Sequence, residues 1–311
     1  MLQRSSYRPQ SGWSWKRFSV SLSIVIVIAS AGLWWYSGRF PYSPEEVRFR
    51  LLMVQYLQTQ NQLDHVYMQA GTSSVSEFNM NRKINRLCES FETFLICYPS
   101  HDQAMNVYGS FLDEIGNGDA AVRWWERAVE FSHRNPQLLN NLANYYGHNG
   151  RAEEAIKLYE KAIKLDPNEP IYHFNIGNMY YLFRKETHAI HGWDLRKTFE
   201  QSLLHFRMAR DLEPQNTEYA ISYAQTYYGV KFLSKGFEWR AAEDAWKFCL
   251  PMDAHAGYQD SIRVNLVRIN CYEDNQAIAL DWYSQIRSPS SRQIAWRIMK
   301  RFFPDETGSE I

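Results

Sequence analysis

Residues 136–169 read PQLLNNLANYYGHNGRAEEAIKLYEKAIKLDPNE. Two apolar runs flank the turn signal His148-Asn149-Gly150. The first holds Leu139, Leu142, Ala143 and Tyr146, and the second holds Ala155, Tyr159 and Ala162. Spacings of three and four residues put each set on one face of a helix. Gly150 suits a backbone turn because it adopts positive φ at no steric cost. Pro167 ends the second run, since proline has no N–H to donate and clashes with the preceding turn. The segment therefore reads as two antiparallel helices. Their small residues allow close approach, and their aromatic side chains fill the space beside each contact.

The same order of residues recurs at a period of 34. One period back stand Met105, Tyr108, Gly109 and Leu112, then Ala121, Trp125 and Ala128. One period forward stand His173, Ile176, Gly177 and Tyr180, with the second half displaced to Ser202, Phe206, Ala209 and Pro214. Ala220, Tyr223, Ala224 and Tyr227 follow, then Ala242, Trp246 and Cys249. Leu87, Phe91, Phe94 and Pro99 form a degenerate second half ahead of them all. One hairpin cannot bury its own apolar face, so hairpins repeated at a fixed period must stack. The pattern Leu139-x2-Leu142-Ala143-x2-Tyr146, Ala155-x3-Tyr159, Ala162, Pro167 resembles the tetratricopeptide repeat. That resemblance implies an all-α solenoid of helix-turn-helix units in a right-handed superhelix, whose concave groove holds a protein or peptide.

Working outward, residues 102–250 divide into repeats at 102–135, 136–169, 170–216 and 217–250. The third carries an insertion at 184–196 and the fourth a shorter one, both between first and second helix. The first insertion contains Arg184, Lys185, Glu186, His188, His191 and Trp193; the second contains Phe232, Lys235, Phe237 and Trp239. Two readings stand for these aromatics among charges: partner contact, or packing against one another. Residues 44–100 read as a helical N-terminal cap. Residues 255–303 read as a worn repeat followed by a capping helix over Ser291–Phe303.

Residues 1–17 hold Arg4, Arg8, Lys16 and Arg17 and no acid, and residues 18–36, FSVSLSIVIVIASAGLWWY, carry no charge. Nineteen helical residues span about 28 Å, close to the thickness of a bilayer core. Trp34, Trp35 and Tyr36 suit its interface. The segment reads as a single transmembrane helix, with a cleaved signal before Gly32 as the rival because Ala29-Ser30-Ala31 fits a cleavage site. The basic tail favours a cytoplasmic N-terminus and places the repeats on the outer, periplasmic side of a bacterial inner membrane.

Lys+Arg and Asp+Glu are 34 each, and this balance gives no support to nucleic-acid binding. The chain has no H-E-x-x-H, no G-x-x-x-x-G-K-[ST], no G-x-S-x-G and no C-x-x-C. The four cysteines read as buried free thiols, and His188-x-x-His191 as a polar surface pair rather than a metal site. No catalytic residue, cofactor or small-molecule substrate is indicated, and the repeats leave no room for a catalytic domain. Binding remains. Asn140, Asn141 and Asn144 crowd the first helix of the best repeat; Asn175 and Asn178 take equivalent places one repeat on, and Gln225 one further. Asn costs a helix several tenths of a kcal/mol relative to Ala. In the family this face lines the groove, and its amides grip the backbone of an extended peptide. The expected function is a membrane-anchored scaffold or adaptor. An exported soluble adaptor, or an accessory subunit of an envelope enzyme or assembly complex, is the alternative.

Overall fold

The computed structural model describes residues 42–68, 74–230, 239–252 and 256–304. Among the described residues every regular element is a helix. In chain order these are α1 (Pro44–Met68), α2 (Ser74–Cys97), α3 (Asp102–Glu114), α4 (Gly118–Phe131), α5 (Pro136–His148), α6 (Ala152–Leu165) and α7 (Pro170–Leu182). They continue with α8 (Arg184–His191), α9 (Leu195–Leu212), α10 (Thr217–Val230), α11 (Trp239–Cys249), α12 (Ala256–Tyr272), α13 (Gln276–Ser284) and α14 (Pro289–Phe302). The apolar segment 18–36, the basic tail 1–17 and residues 231–238 of the second insertion, with Phe232, Lys235 and Phe237, lie outside the described residues. No described helix is long and apolar enough to cross a membrane.

The chain divides into two units, one reaching to Phe111 and one beginning at Leu112, with α3 running through the division. In the first unit, Phe91 stacks on Tyr108 with centroids 4.9 Å apart, and Tyr56 meets Phe91 and Phe111 edge-on. Phe49 and Phe94 pack around His101. These aromatic side chains share the filling with Leu52, Leu63, Leu87, Leu95 and Met105.

In the second unit successive helices pack in sequence order, α5 on α6, α9 on both α7 and α10, and α12 on α13 and α14. The signature residues occupy the seams. Ala121, Ala128, Ala143, Ala155, Ala162 and Ala209 are fully buried, and Tyr146, Tyr159, Tyr180 and Phe206 nearly so. Gly109 and Gly177 are buried as well, while Pro167 and Pro214 lie exposed past the ends of α6 and α9. At Gly177 an added Cβ would sit 3.1 Å from the Phe206 ring. Ser202, at the place held by Ala155 one repeat earlier, is also buried, and its hydroxyl donates to the Gly177 carbonyl at 2.8 Å. A hydroxyl in a small-residue seam is tolerable only with such a partner. Gly116 and Gly150 sit at φ +84° and +78°, with nothing near to crowd a side chain. Backbone conformation alone therefore calls for glycine there.

The end of the unit is closed by Asp260, which is almost fully buried. Its carboxylate accepts the backbone N–H groups of Arg287 and Ser288 at 3.1 and 2.7 Å and pairs with Arg263 at 3.0 Å. Ser288 is the N-cap of α14, so one buried acid fixes the start of the last helix. These donors lower the Asp260 pKa although burial opposes them.

Candidate functional site

The first helices of two consecutive repeats, α5 and α7, carry the amide-rich face. Asn135 begins α5, its side chain accepting from the Leu138 N–H, and Pro136 occupies the first turn. Pro170 does the same for α7. Proline is favoured there because its missing N–H would have had no helical partner. Both helices start in register, which brings Asn140 beside Asn175. The Asn175 side-chain amide donates to Asn140 Oδ1 at 2.9 Å. Asn140 is only 6% exposed, Asn141, Asn175 and Asn178 are half-buried, and Gln225 on α10 is exposed.

Asn144 is engaged differently. Its Oδ1 accepts the hydroxyl proton of Tyr159, a residue 3% exposed in the seam between α5 and α6. Burial pushes the Tyr159 phenol well above its ordinary pKa. Asn144 therefore serves the core of its own repeat, while keeping its amide N–H groups as donors.

A second polar cluster runs through the third repeat. His173 is 1% exposed, and its Nε2 lies 2.9 Å from the Pro167 carbonyl. Its Nδ1 lies 2.9 Å from His205 Nδ1, with the rings stacked. A carbonyl only accepts, so His173 carries a proton on Nε2. One of the two facing Nδ1 atoms then donates to the other. Burial first, and the facing His173 second, lower the His205 pKa to about 4. The sequence reading missed this pair. Its signal was His173 itself, a polar residue at the place where the neighbouring repeats have Met105 and Leu139.

The insertion at 184–196 is folded into the repeat. It forms α8 and an αL turn at Gly192, after which Asp194 accepts from the Lys197 N–H to start α9. Thr187 is completely buried, and His191 stacks on Trp193 with centroids 4.1 Å apart. Trp193 also meets Tyr180 edge-on, and its carbonyl lies 2.7 Å from His188 Nδ1. Tyr180 donates to Glu160 on α6 at 2.7 Å, and His191 Nε2 lies 2.7 Å from the same carboxylate oxygen. Of the two readings of this segment, internal packing is the one these contacts display. Trp239, the described aromatic of the second insertion, stacks flat on Tyr272. Among the described residues no group of three potential ligands is placed to hold a metal ion. The thiols are free, with Cys249 and Cys271 buried in separate clusters. Of the two cysteines on α2, both expected to be buried, Cys88 is half-buried and Cys97 is exposed because it ends the helix on its outer side.

The Tyr180–Glu160 bond has a counterpart one period earlier. Tyr146 donates to Glu126 at 2.7 Å, and Arg151 lies 3.6 Å over the Tyr146 ring while reaching Glu126 and Glu154. Burial and the Glu126 carboxylate push the Tyr146 pKa up to about 12. The two bonds tie the first helix of one repeat to the second helix of the one before. A tetratricopeptide-repeat model matches residues 124–157, and a second repeat model matches 146–182. Residues 124–182 carry tetratricopeptide repeats. No curated protein matches the chain in sequence. Among solved structures, the chain is similar to YrrB, a tetratricopeptide-repeat protein described as having an unusual peptide-binding site. The TM-score is 0.51 at 13% identity, covering 70% of this chain and 95% of that one. It is also similar to PilF of Pseudomonas aeruginosa, with a TM-score of 0.50 at 14% identity, covering 81% and 92%. At such identities the likeness is one of fold: stacked tetratricopeptide hairpins, an architecture consistent with a protein–protein interaction scaffold.

Proposed function

We propose that this tetratricopeptide-repeat chain is a membrane-anchored scaffold that holds an extended segment of a partner protein along the amide face of α5, α7 and α10. The single observation that carries the groove reading is the Asn175–Asn140 bond. It uses one donor of Asn175 and accepts at Asn140, which leaves N–H donors on Asn140 and a carbonyl acceptor on Asn175. A peptide unit presents one acceptor and one donor. Asn178 and the exposed Gln225 extend the same chemistry. The peptide-binding site named for YrrB supports the reading by analogy of fold.

Anchoring rests on the uncharged Phe18–Tyr36 segment, and the basic tail before it favours the repeats on the outer side of the membrane. The protein should stay with membranes after alkaline extraction, and a mature N-terminus at Gly32 would replace the anchor with an exported adaptor. For the groove, an identified partner segment should be titrated against the full chain by calorimetry. Asn178→Ala with Gln225→Ala, at two residues outside the Asn175–Asn140 bond, should weaken binding about ten-fold or more while the melting temperature holds. Unchanged affinity would remove the amide face from the binding site.

A further inference from the structure

The outermost helix, α14, is unlike the other helices in its charge. Its inner side is committed: Ala295 and Met299 are buried with Val264, Val267, Cys271, Ala279 and Ile286, and Phe302 meets Tyr272 edge-on. Arg292 lies 5.1 Å over Tyr283. The outer side exposes Gln293, Ile294, Arg297, Lys300 and Arg301, with Arg287 exposed just before the helix. Between Arg287 and Phe303 there is no acidic residue. None of Arg297, Lys300 and Arg301 forms an ion pair among the described residues. By contrast, α6 carries both signs on its outer side, with Glu153 and Glu154 in the first turn and Lys157, Lys161 and Lys164 after them. Attraction to the helix C-terminus accounts for Lys300 and Arg301 in the last turn, but not for Arg297 or for the absence of any acid. Ile294 is 49% exposed within this cationic face, and Lys300 sits 4.7 Å over the Trp296 ring at its shoulder.

We propose that this face of α14 is a docking surface for an anionic bilayer. Three unpaired cations around one exposed isoleucine and a half-buried tryptophan are the composition of a helix lying at a lipid headgroup layer, with charge drawn to acidic lipid and apolar atoms meeting the acyl boundary. The inference rests on the anchoring reading for proximity, since a chain held at the bilayer samples lipid at high effective concentration. Residues 305–311, outside the described residues, add Asp305, Glu306 and Glu310. The five cations from Arg287 to Arg301 still outnumber them.

The test is lysine protection. The full chain is placed in nanodiscs of pure phosphatidylcholine or with about 30% phosphatidylglycerol, pulsed with an acetylating ester, and read by mass spectrometry at Lys300 against Lys161. Each cation near an anionic surface is worth about a five-fold change in partitioning. Lys300 should therefore be acetylated at least about five-fold more slowly in the anionic discs, with Lys161 unaffected and protection lost at high salt. Arg297→Gln with Arg301→Gln should abolish protection with helicity retained, and Gln293→Glu should weaken it without removing any existing side-chain contact. Equal Lys300 rates in the two lipids would overturn the proposal. So would protection by polyglutamate without protection by anionic lipid, which would assign the face to an acidic protein. If the chain fails to co-elute with the discs, the anchoring reading fails. Phosphatidylglycerol vesicles added to the same protein then decide the α14 face on its own.

Discussion

The hairpins α5–α6 and α7–α9 use the same signature positions and close them in opposite ways. In α5–α6 the helices meet across the Asn149-Gly150 turn, alanines line the seam, and the buried Tyr159 hydroxyl is satisfied within the hairpin by Asn144. In α7–α9 the seam is tighter, with Gly177 against the Phe206 ring and Ser202 in place of alanine. The connection is a folded helix stitched down by His191, Trp193 and Tyr180. A buried His173–His205 pair replaces apolar packing. The pattern of small and large residues thus fixes the hairpin, while polar insertions are accepted wherever each buried donor and acceptor finds a partner.

The comparison breaks most severely at Phe206. Phe206→Ala should cost about 3–5 kcal/mol by leaving a cavity beside Gly177. Urea unfolding of the variant should show it. Ala143→Gly in the regular hairpin, which removes one methyl group and adds backbone freedom, should cost much less.

A second difference is pH dependence. The His205 pKa is lowered to about 4 in the folded chain, against about 6.5 unfolded. The unfolded state therefore binds the extra proton first. The stabilisation is fully present above about pH 6.5 and is lost as the pH falls towards 4, an effect of up to about 3 kcal/mol. Melting temperature should drop across that window, and the His205→Gln variant should show a flatter profile. An unchanged slope would mean that His205 is solvated rather than held neutral.

The smallest expected effect sharpens the role of Asn144. Helix propensity alone predicts that Asn144→Ala stabilises α5 by several tenths of a kcal/mol. The structure reverses the sign, because the buried Tyr159 hydroxyl loses its acceptor, at a cost of about 1–2 kcal/mol. Tyr159→Phe made together with Asn144→Ala should recover most of that loss in a double-mutant cycle. Recovery would also show that Asn144→Ala is a poor probe of partner binding, which is why Asn178 and Gln225 carry that test.

The 34-residue recurrence of Gly109, Ala143 and Gly177 with Tyr146 and Tyr180 was legible as stacked hairpins because close helix contact demands small residues at fixed places and fills the remainder with aromatics. Gly116 and Gly150 were legible as turns because positive φ is a local property of the backbone. The partners of the polar residues were not legible. Asn144 with Tyr159, Asn140 with Asn175, His173 with His205 and Asp260 with Ser288 are separated by 15 to 35 residues. A hydrogen bond forms or fails within a few tenths of an ångström. The sequence alone determined that these helices pair and stack; tertiary structure decided which amides serve the core and which remain for a partner, because that choice depends on where side chains from different helices meet.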